Sequence, residues 1–236
     1  NSRVISKRDC PTRSQETPPE RVNVRAVIER AVKEKLETLT GHIAQDIPGF
    51  AIKSKEKSLL WDVLARLMFW NKAIKTHFIT TLYPVVWVPR LPWLENEETK
   101  AIEILAHEYV HLQDRKRLGW IFNLLYASPQ IFTLLALLAV YNPWFFLFLG
   151  CLLPLPSPGR AWLEFRGYRM SMAVYYWFYG AKLDTGWIAH QFTGSNYYWM
   201  LPFEKYVTNL FDREYEKIKS GVLTKELQDV KLLLDI

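Results

Sequence analysis

Apolar residues recur along this chain with two different periods, and the change of period predicts a mainly helical fold with a small β-sheet. The three- and four-residue spacing of one helix face is found in several segments. It predicts helices at about 24–46, 55–76, 97–117, 160–179, 203–219 and 223–234. Residues 180–202 are rich in Gly, Asp, Asn and Tyr and predict a loop instead.

A β-branched and aromatic run at residues 79–89 breaks the helical period. Because Pro84 lies inside this run and proline cannot donate a ladder hydrogen bond, residues 83–88 predict an edge strand. Asn96, followed by two glutamates, has the character of a helix cap. We therefore expect the edge strand to lead directly into the helix at about 97–117.

No charged residue occurs from Leu118 to Gly159. Two apolar limbs, at about 118–141 and 144–155, are separated by the turn signal Asn142-Pro143, and they predict an apolar helical hairpin. The first limb has the roughly 20 residues of a membrane span, although Ser128-Pro129 interrupts it, and the second limb is too short. Amphipathic aromatic residues mark the limb ends, as at a membrane interface: Trp120, Tyr126, Tyr141, Trp144 and Trp162. We expect this hairpin to dip into a bilayer or to pack on a protein partner, and the alternative is a hairpin within a soluble core.

The length of 236 residues predicts one domain, at 24–236, preceded by an extended polar arm at 1–23 without a core of its own. The net charge of +6 is compatible with an anionic lipid or partner, but a solvated surface is the favoured interpretation of this charge. No block of lysine and arginine marks a nucleic-acid site. Of the two cysteines, one lies in the arm and one in the apolar segment, which excludes a disulfide-stapled fold.

Residues 107–111 have the sequence His-Glu-Tyr-Val-His, which fits the H-E-x-x-H pattern. On a helix, His107 and His111 lie one turn apart on one face, so both imidazoles can bind one zinc ion. Glu108 would lie beside the water of that ion and take its proton. The alternative is a surface helix with two solvated histidines. However, the residues around the motif are apolar, and buried polar side chains are costly without a partner.

A catalytic zinc site needs a third protein ligand, and three residues are candidates. Asp114 lies two turns beyond the first histidine and is better placed to steady an imidazole, and His190 lies in the predicted loop. Glu164 lies in an otherwise apolar helix, where an acid needs a partner, so we favour it. A salt bridge from Glu164 to Arg160 or Arg166 is the alternative. Since the ligands flank the apolar segment, that segment can enter a bilayer only if it returns to the same side.

The H-E-x-x-H element, the apolar segment and the sequence Arg160-Ala-Trp-Leu-Glu164 together resemble the gluzincin metallopeptidases. The layout is most similar to the membrane-embedded group that includes the CAAX prenyl endopeptidases and the bacterial heat-shock membrane proteases. In that group a helix supplies glutamate as the third zinc ligand, with an arginine four residues earlier, as here. The group has an Ala-Asp pair where this chain has Gly167-Tyr168, and Asp114 could take the place of that aspartate. The resemblance covers about residues 79–175 and implies a zincin-like α+β fold.

The resemblance implies a zinc-dependent metallopeptidase in which Glu108 is the general base and then the proton shuttle. It also implies a tyrosine or histidine that steadies the oxyanion. The candidates are His190, Tyr197 and Tyr198, and the alternative for each is a packing role or a solvated loop. The expected partners are a protein or peptide substrate and, through residues 118–159, a membrane or a large protein assembly.

A second hypothesis is a structural or interaction subunit of a membrane complex or virus particle, built on the same scaffold and closed to substrate. The polar arm, the apolar hairpin and the many aromatic residues favour it. The two hypotheses differ at the predicted edge strand, 83–88. In an enzyme this edge should face the zinc, whereas in a structural protein a partner or the arm should cover it. An arm that covers the site would also fit an inhibitory propeptide.

Overall fold

The computed structural model describes residues 24–67, 75, 79–91 and 98–236, and this part of the chain is mainly helical with one small sheet. The helices are, in chain order, α1 (Val24–Asp46), α2 (Leu59–Leu67), α3 (Glu98–Leu118), α4 (Trp120–Ala127), α5 (Pro158–Tyr179), α6 (Thr185–Thr193), α7 (Glu204–Lys219) and α8 (Lys225–Leu234). Three 3-10 helices lie at Gln130–Val140, Pro143–Leu152 and Ser195–Tyr197. The predicted arm at 1–23 and the predicted cap at Asn96 lie outside the described residues.

The sheet contains three strands, which are β1 (Ala51–Ser54), β2 (Thr80–Leu82) and β3 (Val85–Val88). β3 is the central strand, because it pairs in parallel with β1 and antiparallel with β2. The apolar run before α3 does contain an edge strand, but this strand is β2 and not residues 83–88. Pro84 lies in the turn between β2 and β3, where its missing N–H removes no ladder hydrogen bond.

Helices α3 and α5 pack against each other and position the candidate site. α3 carries the H-E-x-x-H residues, and most of its side chains between Ala101 and Asp114 are buried. α1 also packs on α3, α4 contacts both α3 and α5, and α7 and α8 pack on α5. The contact between α3 and α5 is therefore largely closed to water.

The predicted loop at 180–202 is wrong in part, because α6 lies within it. The Asp184 side chain caps this helix by accepting hydrogen bonds from the backbone N–H groups of Gly186 and Trp187. Ile188 and Phe192 are then buried on one face. The cap and this buried face, which packs on α7, order a segment whose composition is that of a loop.

The apolar segment forms two 3-10 helices that pack on each other, and we call residues 130–152 the hairpin. The predicted first limb is not one helix, since the chain bends by 89° between α4 and Gln130–Val140. Within the described residues, no single helix has the length and apolar character needed to cross a membrane. α4 and Gln130–Val140 meet that criterion of length and composition only when taken together as a bent pair.

Candidate metal centre

His107, His111 and Glu164 lie together between α3 and α5, and all three side chains are buried. One potential ligand atom from each lies within 4.8 Å of the others. The two Nε2 atoms are 3.1 Å apart, and the Glu164 oxygens lie 3.6 Å from His107 Nε2 and 3.7 Å from His111 Nε2. Ligand atoms about 2.0 Å from a tetrahedral zinc lie about 3.3 Å from one another, so this spacing fits a divalent metal ion.

The carboxylate of Glu164 provides a second test of that fit. Only 1% of the residue is exposed, and its Oε2 atom has no hydrogen-bond partner among the described residues. A buried carboxylate oxygen that accepts no hydrogen bond is unfavourable, and the nearest donor to Oε2, His107 Nε2, is 3.6 Å away. A cation bound by this oxygen and the two imidazoles would remove that penalty.

The electrostatics of the cluster favour a positive charge opposite Glu164. Burial would raise the pKa of Glu164, but His111 and His107 together outweigh it and hold that pKa below its usual range. Burial would also lower the pKa of His111, yet attraction and hydrogen bonding by Glu164 raise it. The carboxylate therefore stays ionised, and either a proton or a metal cation balances it.

Glu108 faces the edge of the sheet. It is 8% exposed, and its Oε2 accepts a hydrogen bond of 2.5 Å from Thr81 Oγ1 on β2. The buried Lys55 donates to Thr80 Oγ1 at 2.7 Å. Burial lowers the pKa of Lys55 to about 8, and the attraction of Glu108 opposes this shift. The carboxylate of Glu108 is thus oriented by β2 and lies in the field of a buried amine.

Helix α5 approaches His107 so closely that a side chain at position 167 would displace the imidazole. A Cβ atom on Gly167 would lie 2.5 Å from His107 Nε2. One turn further along α5, Ser171 Oγ lies 3.2 Å from His107 Nδ1, and Ser171 also hydrogen-bonds Glu103. An imidazole that coordinates a metal through Nε2 carries its proton on Nδ1, so Nδ1–H would donate to Ser171 and fix the tautomer.

Ser171 takes the role that the sequence suggested for Asp114. The buried Asp114 carboxylate accepts a 2.9 Å hydrogen bond from Arg166 Nε instead. The Arg166 guanidinium also reaches Glu226 at 3.2 Å. Arg166 on α5 is therefore engaged with Asp114 on α3 and with Glu226 on α8, and no described contact joins it to Glu164.

Tyr126 is a site residue that the sequence analysis assigned only to a membrane interface. Its hydroxyl donates a 2.7 Å hydrogen bond to Glu164 Oε1. Arg160 holds the end of α4 in place, since its Nε donates to the Tyr126 carbonyl at 2.6 Å and its Nη1 donates to the Tyr197 carbonyl at 3.2 Å. Arg160 thus steadies the tyrosine that binds Glu164.

Of the three oxyanion candidates, only Tyr197 lies in the layer of side chains around the cluster. Its hydroxyl lies 3.4 Å from that of Tyr168, whose ring packs edge-on against His107 with a centroid distance of 4.9 Å. Burial raises the pKa of Tyr197 well above its usual value, and Glu164 adds to this shift.

The other two candidates lie elsewhere. The His190 side chain is exposed in the last turn of α6, and the hydroxyl of Tyr198 donates to the Leu152 carbonyl at the end of the hairpin. Among the described contacts, neither residue touches the metal-ligand cluster.

A cleft of about 210 Å³ lies between β2 and α4. Its lining residues come from the edge strand, α3 and α4, and they are Thr81, Leu82, Tyr83, Arg115, Phe122 and Asn123. Thr81 binds Glu108, and the Phe122 ring lies 6.3 Å from that of His111. Glu108 and His111 therefore each contact a residue that lines the cleft, although neither lines it itself.

No protein-family model, no curated protein and no solved structure matches this chain. A fold alone would not identify an activity in any case, because one fold supports many functions. The chemistry of the site is therefore the basis for a functional assignment.

Proposed function

We propose that this protein is a zinc-dependent metallopeptidase of gluzincin type, with His107, His111 and Glu164 as ligands and Glu108 as general base. The observation that supports it most is the buried cluster of two Nε2 atoms and a carboxylate oxygen that accepts no hydrogen bond. Glu108 follows the first of these histidines directly in the sequence. Two imidazoles and one carboxylate are a donor set of catalytic zinc sites, which keep a further position for water or substrate.

The residues around the cluster suit the hydrolysis of an amide bond. When bound, zinc would supply Lewis acidity, which polarises the scissile carbonyl and lowers the pKa of a water molecule. Glu108, oriented by Thr81, would take one proton from that water while the water oxygen forms a bond to the carbonyl carbon. Glu108 then gives the proton to the amide nitrogen as the C–N bond breaks, which yields a carboxylic acid and an amine.

Strand β2 is suited to hold an extended peptide. β3 pairs with one side of β2, and among the described strands none pairs with the other side of β2. The cleft lies beside β2. A substrate that adds to this edge would use backbone hydrogen bonds for affinity and would lie next to Glu108. The predicted edge at 83–88 does not separate the two functional hypotheses, because β1 and β2 of the same chain pair with it.

The hairpin favours a second candidate, which is an interaction subunit of a membrane complex or particle whose zinc has only a structural role. Many apolar side chains are exposed on both limbs of the hairpin. Both candidates predict bound zinc, so metal content alone does not separate them. Only the metallopeptidase is expected to cleave peptides.

The test combines metal analysis with cleavage of a mixed peptide library. We expect the wild-type protein to bind zinc in a one-to-one ratio and to cleave peptides until a chelator is added. Glu108→Gln should keep the zinc and lose cleavage by a factor on the order of 100 or more, because the general base is gone. Glu216→Gln, an exposed carboxyl on α7, is the matched control and should behave as wild type.

Three results would contradict the proposal. Absence of bound zinc would remove the site, and full activity of Glu108→Gln would remove the base. Bound zinc with no cleavage by the wild-type protein would favour the structural subunit.

A further inference from the structure

The hairpin exposes more apolar surface than any other described segment. Six of its large side chains are between 64% and 84% exposed, namely Leu134, Leu137, Val140, Tyr141, Trp144 and Leu147. Neither limb buries a single residue. A contiguous apolar surface of this kind marks a binding site for a protein or a membrane.

The distribution of exposure around each limb distinguishes these partners. A 3-10 helix has three residues per turn and therefore three faces. On Gln130–Val140, the face at 133, 136 and 139 is partly buried. The face at 134, 137 and 140 is exposed, and two of the three residues on the remaining face, at 132, 135 and 138, are exposed as well. On Pro143–Leu152, only the face at 145, 148 and 151 is partly buried throughout. A protein partner would cover one side of this pair of limbs, whereas lipid chains would cover all of its exposed faces.

Three backbone N–H groups at the tip of the hairpin have hydrogen-bond partners within the hairpin. The backbone N–H groups of Tyr141 and Asn142 donate to the Leu138 carbonyl at 2.9 and 3.2 Å. The Trp144 N–H donates to Asn142 Oδ1 at 3.0 Å, so the polar side chain at the turn is also engaged. A backbone donor without a partner is strongly unfavourable in hydrocarbon, and these bonds remove that cost for the donors of Tyr141, Asn142 and Trp144.

The length of the limbs decides between insertion and crossing. At about 2.0 Å per residue, limbs of 11 and 10 residues are about 22 and 20 Å long. The hydrocarbon core of a bilayer is about 30 Å thick. The hairpin is therefore long enough to enter a bilayer and too short to cross it, and both of its ends return to the body of the protein.

A cluster of basic residues precedes the hairpin in the chain, and only α4 separates the two. The last turn of α3 carries Arg115, Lys116 and Arg117, and the exposed Trp120 begins α4 three residues later. Basic residues bind anionic headgroups, and tryptophan favours the interface between headgroups and hydrocarbon. Lys116 is paired with Asp46 at 2.6 Å, so Arg115 and Arg117 supply the charge that complements an anionic membrane surface.

We propose that the hairpin is a re-entrant anchor that inserts into an anionic phospholipid bilayer from one side. Insertion requires neither zinc nor peptidase activity, so this proposal and the proposed function can fail separately.

Vesicle flotation tests the insertion. We expect the wild-type protein, purified in detergent and then diluted, to float with vesicles of phosphatidylcholine and phosphatidylglycerol and less well with phosphatidylcholine alone. The double substitution Leu137→Glu and Val140→Glu should reduce binding at least about tenfold, because two charges would enter the hydrocarbon. Leu232→Glu is the matched control, since Leu232 is 80% exposed on α8 and should lie outside the lipid.

Circular dichroism of each variant in detergent would show that the fold is retained. Two results would overturn the insertion: a wild-type protein that stays out of the vesicle fraction, or one that forms a defined oligomer in water that the double substitution dissociates. The second result would identify another copy of this chain as the occupant.

A fluorophore at the tip tests the topology. With both native cysteines replaced by serine, Tyr141→Cys offers a labelling site that is 84% exposed. We expect brominated acyl chains to quench this label and iodide trapped inside the vesicles to leave it unchanged. Quenching by internal iodide would show a crossing segment, and no quenching by the brominated lipid would show that the tip lies outside the bilayer. Either result would overturn the re-entrant anchor.

Discussion

The α3–α5 contact and the hairpin depart from the usual distribution of residues in opposite directions. At the contact, Glu164 is 1% exposed, although it is an acid. In the hairpin, Val140 is 83% exposed, although it is aliphatic. Each arrangement is unfavourable in water by itself, and each becomes favourable with a partner from outside the chain. This difference underlies the two proposals, in which a cation is the partner of the buried acid and lipid is the partner of the exposed aliphatic residues.

A pair of glycines tests this comparison most strongly. Gly167→Ala places a methyl group 2.5 Å from His107 Nε2, whereas a Cβ on Gly150 in the hairpin meets nothing within 4 Å. We expect Gly167→Ala to lower the free energy of unfolding by about 1–3 kcal/mol and to weaken zinc binding, because the imidazole must move. Gly150→Ala should change the free energy of unfolding by less than about 0.5 kcal/mol.

Urea denaturation and competition with a zinc chelator measure the two effects. Equal stability and equal zinc affinity in the two glycine variants would mean that α5 does not confine His107. The contrast between a closely packed site and an open hairpin would then be lost.

Tyr126 connects the two regions, since α4 carries it and leads into the hairpin. Tyr126→Phe removes the 2.7 Å hydrogen bond to Glu164 Oε1 and keeps the ring. Groups that hold a metal ligand in place typically contribute about 10- to 100-fold to metal affinity, and we expect a loss at the lower end of that range.

The matched control for this change is Tyr206→Phe, because Tyr206 is 54% exposed on α7. Chelator competition in detergent measures both variants. An unchanged zinc affinity in Tyr126→Phe would show that Glu164 is held without this tyrosine.

Features set by neighbours along the chain could be predicted from the sequence. The helices α1, α3, α5, α7 and α8 follow the apolar period, and the four-residue spacing of His107 and His111 places them on one face. An acid in an apolar helix needs a partner, and this reasoning led to Glu164. These inferences depend on local periodicity and on the cost of burial, and both are visible in one sequence.

Features set by distant parts of the chain could not be predicted in this way. β1 pairs with β3 across more than thirty residues, and its four residues are too few to show a period. Tyr126 reaches Glu164 only because the chain bends after α4, so its sequence position suggested a membrane interface instead. Gly167 departs from the gluzincin pattern, and the close approach of His107 explains it only once α3 and α5 are packed.

The smallest expected effect concerns Glu103, an acid of the α3–α5 contact that is not a ligand. Burial raises its pKa to about 7, while attraction by Lys100 and a hydrogen bond from Ser171 oppose this shift. Between pH 4.5 and about 7 the folded protein keeps this proton and the unfolded chain releases it, so stability falls as the pH rises through that range. With a discount for partial exposure, the loss is on the order of 1–2 kcal/mol.

Glu103→Gln should lack this decline, whereas the exposed control Glu216→Gln should keep it. Urea denaturation in the presence of a chelator, repeated across this pH range, measures the difference without interference from metal release. If the free energy of unfolding fell equally with pH in Glu103→Gln and in the wild type, the α3–α5 contact would tolerate an ionised Glu103. Burial at this contact would then have no effect on the acid, in contrast to the comparison drawn with the exposed hairpin.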